Sequence, residues 1–208
     1  MSEYRPVQKS YRRQARRYER RWRTYNQVTL QATLEAVHWN DARHLLNVSC
    51  GTGLLEEAAG RRHPGISLTG VDLSLPMLEQ ARRKSGLADS PWFVNALAEH
   101  LPFASESFDT LVCANAFHFY RRPLLALQEM RRVLRPRGQL VLTDWCDDYW
   151  TCKVCDLILR VVDRSHFHTY GLAQCQRLLD EAGFHVEHAR RFKVDWLWGL
   201  MTLRAQAA

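Results

Sequence analysis

Between residues 47 and 53 the chain reads Asn-Val-Ser-Cys-Gly-Thr-Gly, directly after the short apolar run His44–Val48. Gly51 and Gly53 would let the backbone approach a ligand with no Cβ in the way. If the turn opens a helix, its free N–H groups face polar or anionic atoms. No Gly-Lys-Ser/Thr follows, so this is not a phosphate loop. Ser49 stands in place of a first glycine and no third glycine follows, which makes it a poor dinucleotide fingerprint. A second apolar run ends in Asp72, within GVDLS, 21 residues beyond Gly51. A carboxylate at the end of a second strand can accept both hydroxyls of a ribose. Together the turn and the acid point to a nucleoside-type ligand.

These residues need a scaffold, and an alternating pattern supplies one. Short apolar runs at His44–Val48, Ile66–Asp72, Trp92–Asn95, Phe108–Cys113 and Gln139–Thr143 predict buried strands. Between them, Leu54–Gly60, the segment opened by Ser74 and Pro76, and Pro123–Leu134 predict helices. Pro136-Arg137-Gly138 predicts a turn, Asp147–Arg164 and Leu172–Ala182 predict two further helices, and His185–Phe192 with Val194–Leu203 predicts a closing antiparallel pair. The expectation is an α/β fold: a Rossmann-like seven-stranded sheet with helices on both faces, parallel except for one strand of that pair. Ligands of such sheets sit outside the carboxyl ends of the strands, where the strand order switches.

Composition and charge narrow the function. The chain has 208 residues, 46% hydrophobic and 25% charged, a length for one domain and a composition unlike disordered or collagen-like chains. No stretch approaches a membrane span, and the start lacks the apolar run of an export signal. The six cysteines are therefore expected as reduced thiols in the cytoplasm. The net charge of +7 is carried wholly by residues 1–25, with nine Lys/Arg and two acids; the other 183 residues hold 20 of each sign. Within this arm Tyr11, Ala15, Tyr18, Trp22 and Tyr25 recur at helical spacing. The stripe would pack on the body with solvated arginines behind it, close over a ligand as a lid, or belong to a basic surface for nucleic acid or anionic lipid. Residues 1–40 are expected as a basic helical lid and 41–208 as the main domain, with a helical cap around 146–170.

LLNVSCGTGLLEEAA, GVDLSLPMLEQAR, ALAEHLPFASESFDTLVCANAFHFY and MRRVLRPRGQLVLTDW resemble the successive motifs of class I S-adenosylmethionine-dependent methyltransferases, in the branch similar to ubiquinone/menaquinone-biosynthesis C-methyltransferases. The resemblance implies that S-adenosylmethionine is the cofactor and that Gly51 and Gly53 line its methionine moiety, with Asn47 and Ser49 in the same turn. It implies that Asp72 holds the ribose hydroxyls, Leu73 and Met77 flank adenine, Leu97, Ala98 and Glu99 lie near the adenine edge, and Ala114 and Asn115 lie near the sulfonium. YRRQARRYER resembles the tyrosine-bearing start of these enzymes, which would place Tyr11 and Tyr18 over the cofactor. Three positions depart from the family pattern: Asn47 replaces an acid, Ser49 a glycine, and Leu97 an aspartate that accepts from the adenine amino group.

The acceptor side is written less clearly. Methyl transfer to most acceptors needs a base, and His118, after the fourth strand, is the catalytic candidate. His166 and His168 are reserves. Cys146, Cys152 and Cys155 could combine with those histidines, but C-x2-C-x10-H-x-H departs from zinc-finger spacing, so no metal site is expected. Buried thiols are the simpler reading, and a thiol site for a soft element such as arsenic stays open. Trp145, Tyr149, Trp150, Trp196 and Trp198 would line an apolar acceptor pocket or fill core. The reading is a methyltransferase acting on a small, partly apolar molecule. Its rivals are a nucleic-acid methyltransferase or binder using the basic arm, and a non-catalytic binding protein on this fold. CANAF stands where a base-binding Asn/Asp-Pro-Pro-Tyr/Phe motif would lie, which makes nucleic acid the poorer partner.

Overall fold

Alternate residues of the central strands face opposite sides of the sheet, and each side carries its own core. The computed structural model describes residues 4–6, 8, 15, 17–84, 91–162 and 168–208, without the side chains of 159–162. After a helical turn α1 (Tyr18–Arg21) come α2 (Arg23–Ala36), β1 (His44–Val48), α3 (Leu54–Arg62), β2 (Ser67–Asp72), α4 (Leu75–Lys84) and β3 (Trp92–Asn95). They are followed by β4 (Phe108–Ala114), α5 (Pro123–Val133), β5 (Leu134–Trp145), α6 (Trp150–Val162), α7 (Leu172–Glu181), β6 (Phe184–Lys193) and β7 (Gly199–Ala207).

The strands form one seven-stranded sheet in the order β3-β2-β1-β4-β5-β7-β6. The pairs from β3 through β5 are parallel, and β7 runs antiparallel to both β5 and β6. This is the expected α/β architecture with one reversed strand in the closing pair. Leu46, Leu111 and Leu140 face a core shared with Leu127 and Met130 of α5 and Leu179 of α7. Their neighbours Leu45, Val112 and Val141 face the other side, against Leu34 of α2 and Leu55 of α3. After β1 the chain builds β2 and β3 on one side, then crosses to β4 on the other. The carboxyl ends of β1 and β4 therefore flank the switch point.

Several boundaries differ from the sequence expectation. Pro136–Gly138 is no free turn: β5 begins at Leu134, and a bulge opposite Phe108 and Thr110 absorbs the extra residues, with Arg137 at φ +64. β7 begins at Gly199, not Val194, because Asp195 Oδ1 accepts the N–H groups of Leu197 and Trp198 at 2.8 and 2.7 Å and closes a turn. α6 begins at Trp150, since Cys146 pairs with Tyr170 and Asp147 N–H donates to Tyr170 O.

The N-terminal helices break at Trp22, within the aromatic stripe expected to run to Tyr25 as one helical face. α2 is also part of the body: Leu34 and Ala36 sit in the core, and Thr33 Oγ1 meets Thr143 Oγ1 at 2.8 Å. The expected boundary at residue 40 thus falls after a core helix. No helix among the described residues is long and apolar enough to cross a membrane.

Candidate active site

A cavity opens at the carboxyl ends of β1, β2, β3 and β4. The glycine turn forms one wall. Ser49 and Gly51 both take left-handed backbone, at φ +63 and +56. A Cβ on Gly51 would meet nothing within 4 Å, so its need for glycine is conformational. Ser49 adopts the strained conformation without being glycine, and its Oγ lies 2.8 Å from Tyr120 Oη in partial compensation. Gly53 has another task. It does not line the cavity, and a Cβ there would press on Ala81 and Phe93 at 3.0 and 3.1 Å, so it allows α3 to pack on α4.

Asp72 closes the turn from the side. Its Oδ2 accepts Gly51 N–H at 2.8 Å and its Oδ1 accepts Ser74 N–H at 2.7 Å. Each oxygen keeps a second lone pair for a ligand hydroxyl. Burial pushes this carboxyl up to about 6, against the lowering effect of those two amides. Leu73, Met77, Leu97, Ala98 and Glu99 continue the wall, and Ala114 and Asn115 lie across from it.

Asn115, at φ +56, is held from both ends of its amide. Its Nδ2 donates to Thr29 Oγ1 at 2.9 Å and its Oδ1 accepts from Tyr25 Oη at 2.8 Å. Trp145 Nε1 donates to the same Tyr25 oxygen at 2.6 Å. One core helix, α2, and two strands, β4 and β5, thus converge at Asn115.

The N-terminal segment covers the opening. Tyr4, Gln8 and Tyr18 are among the lining residues, and burial pushes the Tyr18 hydroxyl up to about 12. Tyr4 Oη donates to Glu99 and accepts Arg121 N–H at 3.0 Å, which ties the chain start to both rims. Arg17, Arg20, Arg21 and Arg23 are exposed. Tyr11 lies outside the described residues.

His118 does not stand at the cavity. The 3₁₀ turn Phe117–Phe119 sends Phe119 and the following Tyr120 into the lining and turns His118 inward. Its Nδ1 is 2.6 Å from Asp144 Oδ1, its backbone N–H donates to Asp144 Oδ2 at 3.1 Å, and its ring stacks on Trp145. His168 lies near Tyr170 and Gln174, and His166 falls outside the described residues. Cys152 Sγ accepts Gly199 N–H at 3.1 Å and so anchors the β6–β7 turn to α6. Among the aromatics offered for an acceptor pocket, Trp145 and Trp198 pack with ring centroids 4.5 Å apart and planes tilted by 31°, while Trp150 and Trp196 are exposed.

Among the described residues that line the cavity there is no Lys, Arg or His, while two carboxyls, Asp72 and Glu99, are present. Three lining residues also hold buried polar atoms without partners: Asn26 Nδ2, Thr52 Oγ1 and Ser74 Oγ. Such a site suits a polar ligand that brings its own positive charge.

The methyltransferase domain family described as "Methyltransferase domain" matches residues 46–142. A ubiquinone/menaquinone biosynthesis C-methyltransferase of Paracoccus denitrificans is 33% identical over 173 residues, covering 75% of this chain and 69% of that protein. The chain belongs to the class I S-adenosylmethionine-dependent methyltransferases. Its cofactor is therefore S-adenosylmethionine, and the similarity to quinone-biosynthesis enzymes places it in their branch.

A demethylmenaquinone methyltransferase of Lactiplantibacillus plantarum is 28% identical, over 77% of this chain and 78% of its own length. A malonyl-[acyl-carrier protein] O-methyltransferase of Legionella pneumophila is 32% identical over 49% of this chain, which spans about a third (36%) of that relative. In fold, the methyltransferase of a Haloferax volcanii complex with the Trm112 methyltransferase activator superposes with a TM-score of 0.84, covering 97% of both chains at 18% identity.

Tyr4, Gln8, Asn26, Thr29 and Tyr120 are lining residues that sequence reasoning missed. For Tyr4 a signal existed, since it lies seven residues before Tyr11 on the same helical stripe.

Proposed function

We propose that this methyltransferase transfers a methyl group to a small, partly apolar acceptor, with the cofactor held in the switch-point cavity. The observation that carries the reading is the lining itself, which has a glycine turn, two acceptor carboxyls, orphaned polar atoms and no described cation. Asp72 would hold the ribose hydroxyls through its free lone pairs, with Gly51, Ser49 and Asn47 around the methionine moiety. Leu73 and Met77 would flank adenine, Leu97, Ala98 and Glu99 would edge it, and Ala114 and Asn115 would face the reacting end. Tyr18, with Tyr11, would cover the cofactor. When bound, the cofactor supplies a methyl group on a sulfonium, a good leaving centre for in-line displacement.

The protein's share is orientation and exclusion of water. Leu30, Leu54, Ala116 and Phe119 give the cavity an apolar portion, which suits an acceptor of mixed character. No lining residue described is a ready base: Asp72 is taken by two backbone amides, Glu99 by Tyr4, and the Tyr18 phenol is hard to ionise. The acceptor atom is therefore one that arrives ionised or gives up its proton easily, such as a carboxylate, a thiol or a phenolic ring. Relatives named for demethylmenaquinone and for fatty acids fit that chemistry.

The test is incubation of the purified protein with methyl-labelled S-adenosylmethionine and a panel of apolar phenols, hydroquinones, fatty acids and single-stranded nucleic acids. Label transferred to an apolar acid or phenol supports the reading. Label appearing in nucleic acid alone, or no binding of the cofactor by calorimetry at millimolar concentration, rejects it.

A further inference from the structure

Glu56, in the first turn of α3, is fully buried (0% exposed). A carboxyl is seldom placed there without a countercharge. Its Oε1 accepts from Asn47 Nδ2 at 3.0 Å and lies over Gly70 of β2, where a Cβ would come within 2.6 Å of it. Its Oε2 has no hydrogen-bond partner. Its own backbone amide and the Asn47 amide favour the charged form, but burial outweighs them. Asp72 at the end of β2 opposes its charge, and burial pushes the Cys50 thiol beside it well up, so that it brings no positive charge. Lys84 of α4 acts on it from farther off and is bound to Glu19, while Arg82 of the same helix donates to Phe93 O at 2.7 Å. No cation among the described residues pairs with Glu56. Asn47 lines the cavity, and its Oδ1 has no hydrogen-bond partner among the described residues.

We propose that Glu56 is the buried countercharge of the glycine turn: it holds Asn47 by Nδ2 so that Oδ1 is the atom offered to the cavity, and it gives up its proton when a cationic ligand occupies the site. The O–H bond of the Glu56 carboxyl breaks, the proton passes to solvent, and the carboxylate remains behind Asn47 opposite the ligand's positive charge. In the empty protein, burial pushes this carboxyl up to about 8, with Asp72 adding to the rise, so at neutral pH it is mostly protonated. A bound cation favours the ionised form, and linkage then makes affinity climb with pH until the empty protein's own carboxyl ionises. Glu56 acts through Asn47 and is a positioning residue. The inference rests on the reading that the cavity takes S-adenosylmethionine, whose sulfonium and ammonium are both positive.

The experiment is titration calorimetry of the full chain with S-adenosylmethionine, in buffers of different ionisation enthalpy and across pH 6.5–8.5. Wild type, Glu56→Gln and the exchange variant Asn47→Asp/Glu56→Gln are compared. The ligand's own amino group titrates identically in all three. At pH 7.5 wild type should release more protons than Glu56→Gln, a substantial fraction of one, and its affinity relative to that variant should rise by about tenfold or more over the pH range. The exchange variant, with its carboxylate moved to the lining position, should regain affinity to within about threefold of wild type at pH 8.5. Equal proton counts in wild type and Glu56→Gln would overturn the inference, as would an exchange variant no better than Glu56→Gln. Should Glu56→Gln fail to fold, wild type alone decides: binding with no proton release beyond that of the ligand's amino group overturns it. Absence of any binding by wild type removes the cofactor reading first and this inference with it.

Discussion

Gly51 N–H donates to Asp72 Oδ2 at 2.8 Å, a bond that spans 21 residues and joins the ends of two neighbouring strands. The acid that shapes the turn is thus also the acid that faces the cavity. Asp72→Ala removes both contributions. Cofactor affinity should fall by about 1.5–3 kcal/mol, since charge-assisted hydrogen bonds are lost. The same carboxyl sits at about 6 when the cavity is empty, so affinity in wild type should weaken as pH drops below 6 and the carboxylate is protonated. Calorimetry between pH 5 and 7.5 checks both, and an affinity unmoved by Asp72→Ala would place the ribose elsewhere.

Leu97 lines the cavity beside Ala98 and Glu99, on the turn after β3. By the resemblance, a carboxylate here would accept from the adenine amino group, and an apolar side chain would leave that amine without this acceptor. Leu97→Asp should tighten cofactor binding by about 0.5–1.5 kcal/mol. Weaker or unchanged binding would show that Leu97 contributes more by packing than an acceptor would, or that adenine lies elsewhere.

The architecture and the wall around the glycine turn were legible because they rest on local signals. Apolar runs mark the central strands, and the left-handed turn needs small residues at its strand–helix junction. What was not legible depends on contacts distant in sequence. The bulge at Arg137 is set by pairing with Phe108 and Thr110, and the late start of β7 by the Asp195 turn. Tyr4 reaches Glu99 across 95 positions, and no periodicity announces such a partner. His118 shows the limit well. A histidine after the fourth strand reads as a rim base, yet a single 3₁₀ turn decides which of Phe119, Tyr120 and His118 face the cavity.

His118 and Asp144 are both almost fully buried, with the imidazole stacked 4.5 Å from the Trp145 ring. Removing the imidazole leaves a buried carboxylate short of a partner. His118→Ala should therefore destabilise the fold by about 1–3 kcal/mol. Cofactor affinity should stay within about twofold, because the side chain lies off the cavity. Denaturant melts paired with calorimetry test this. A stable variant with methyl transfer abolished would return His118 to the catalytic role that sequence alone suggested.

The N-terminal segment is the remaining claim, and Tyr4 is its clearest lever. Tyr4 is almost fully buried; its hydroxyl gives a hydrogen bond to Glu99 and takes one from Arg121 N–H, while Tyr18 lines the same opening. A closed lid has this arrangement, with aromatic side chains inward and Arg17, Arg20, Arg21 and Arg23 toward solvent. A single-strand binder would instead leave aromatics free to stack on bases. Deleting residues 1–21, which spares the core helix α2, should weaken cofactor binding by at least about 1 kcal/mol, and Tyr4→Phe should reproduce part of that loss. RNA and DNA binding by the full chain should be weak and vanish steeply with salt, as contacts made by exposed arginines alone do. Cofactor affinity preserved after deletion, together with loss of sub-micromolar RNA binding at physiological salt, would make the arm a nucleic-acid device instead. The direction of the cofactor effect decides between the two, because only a lid shares an energetic term with the ligand beneath it.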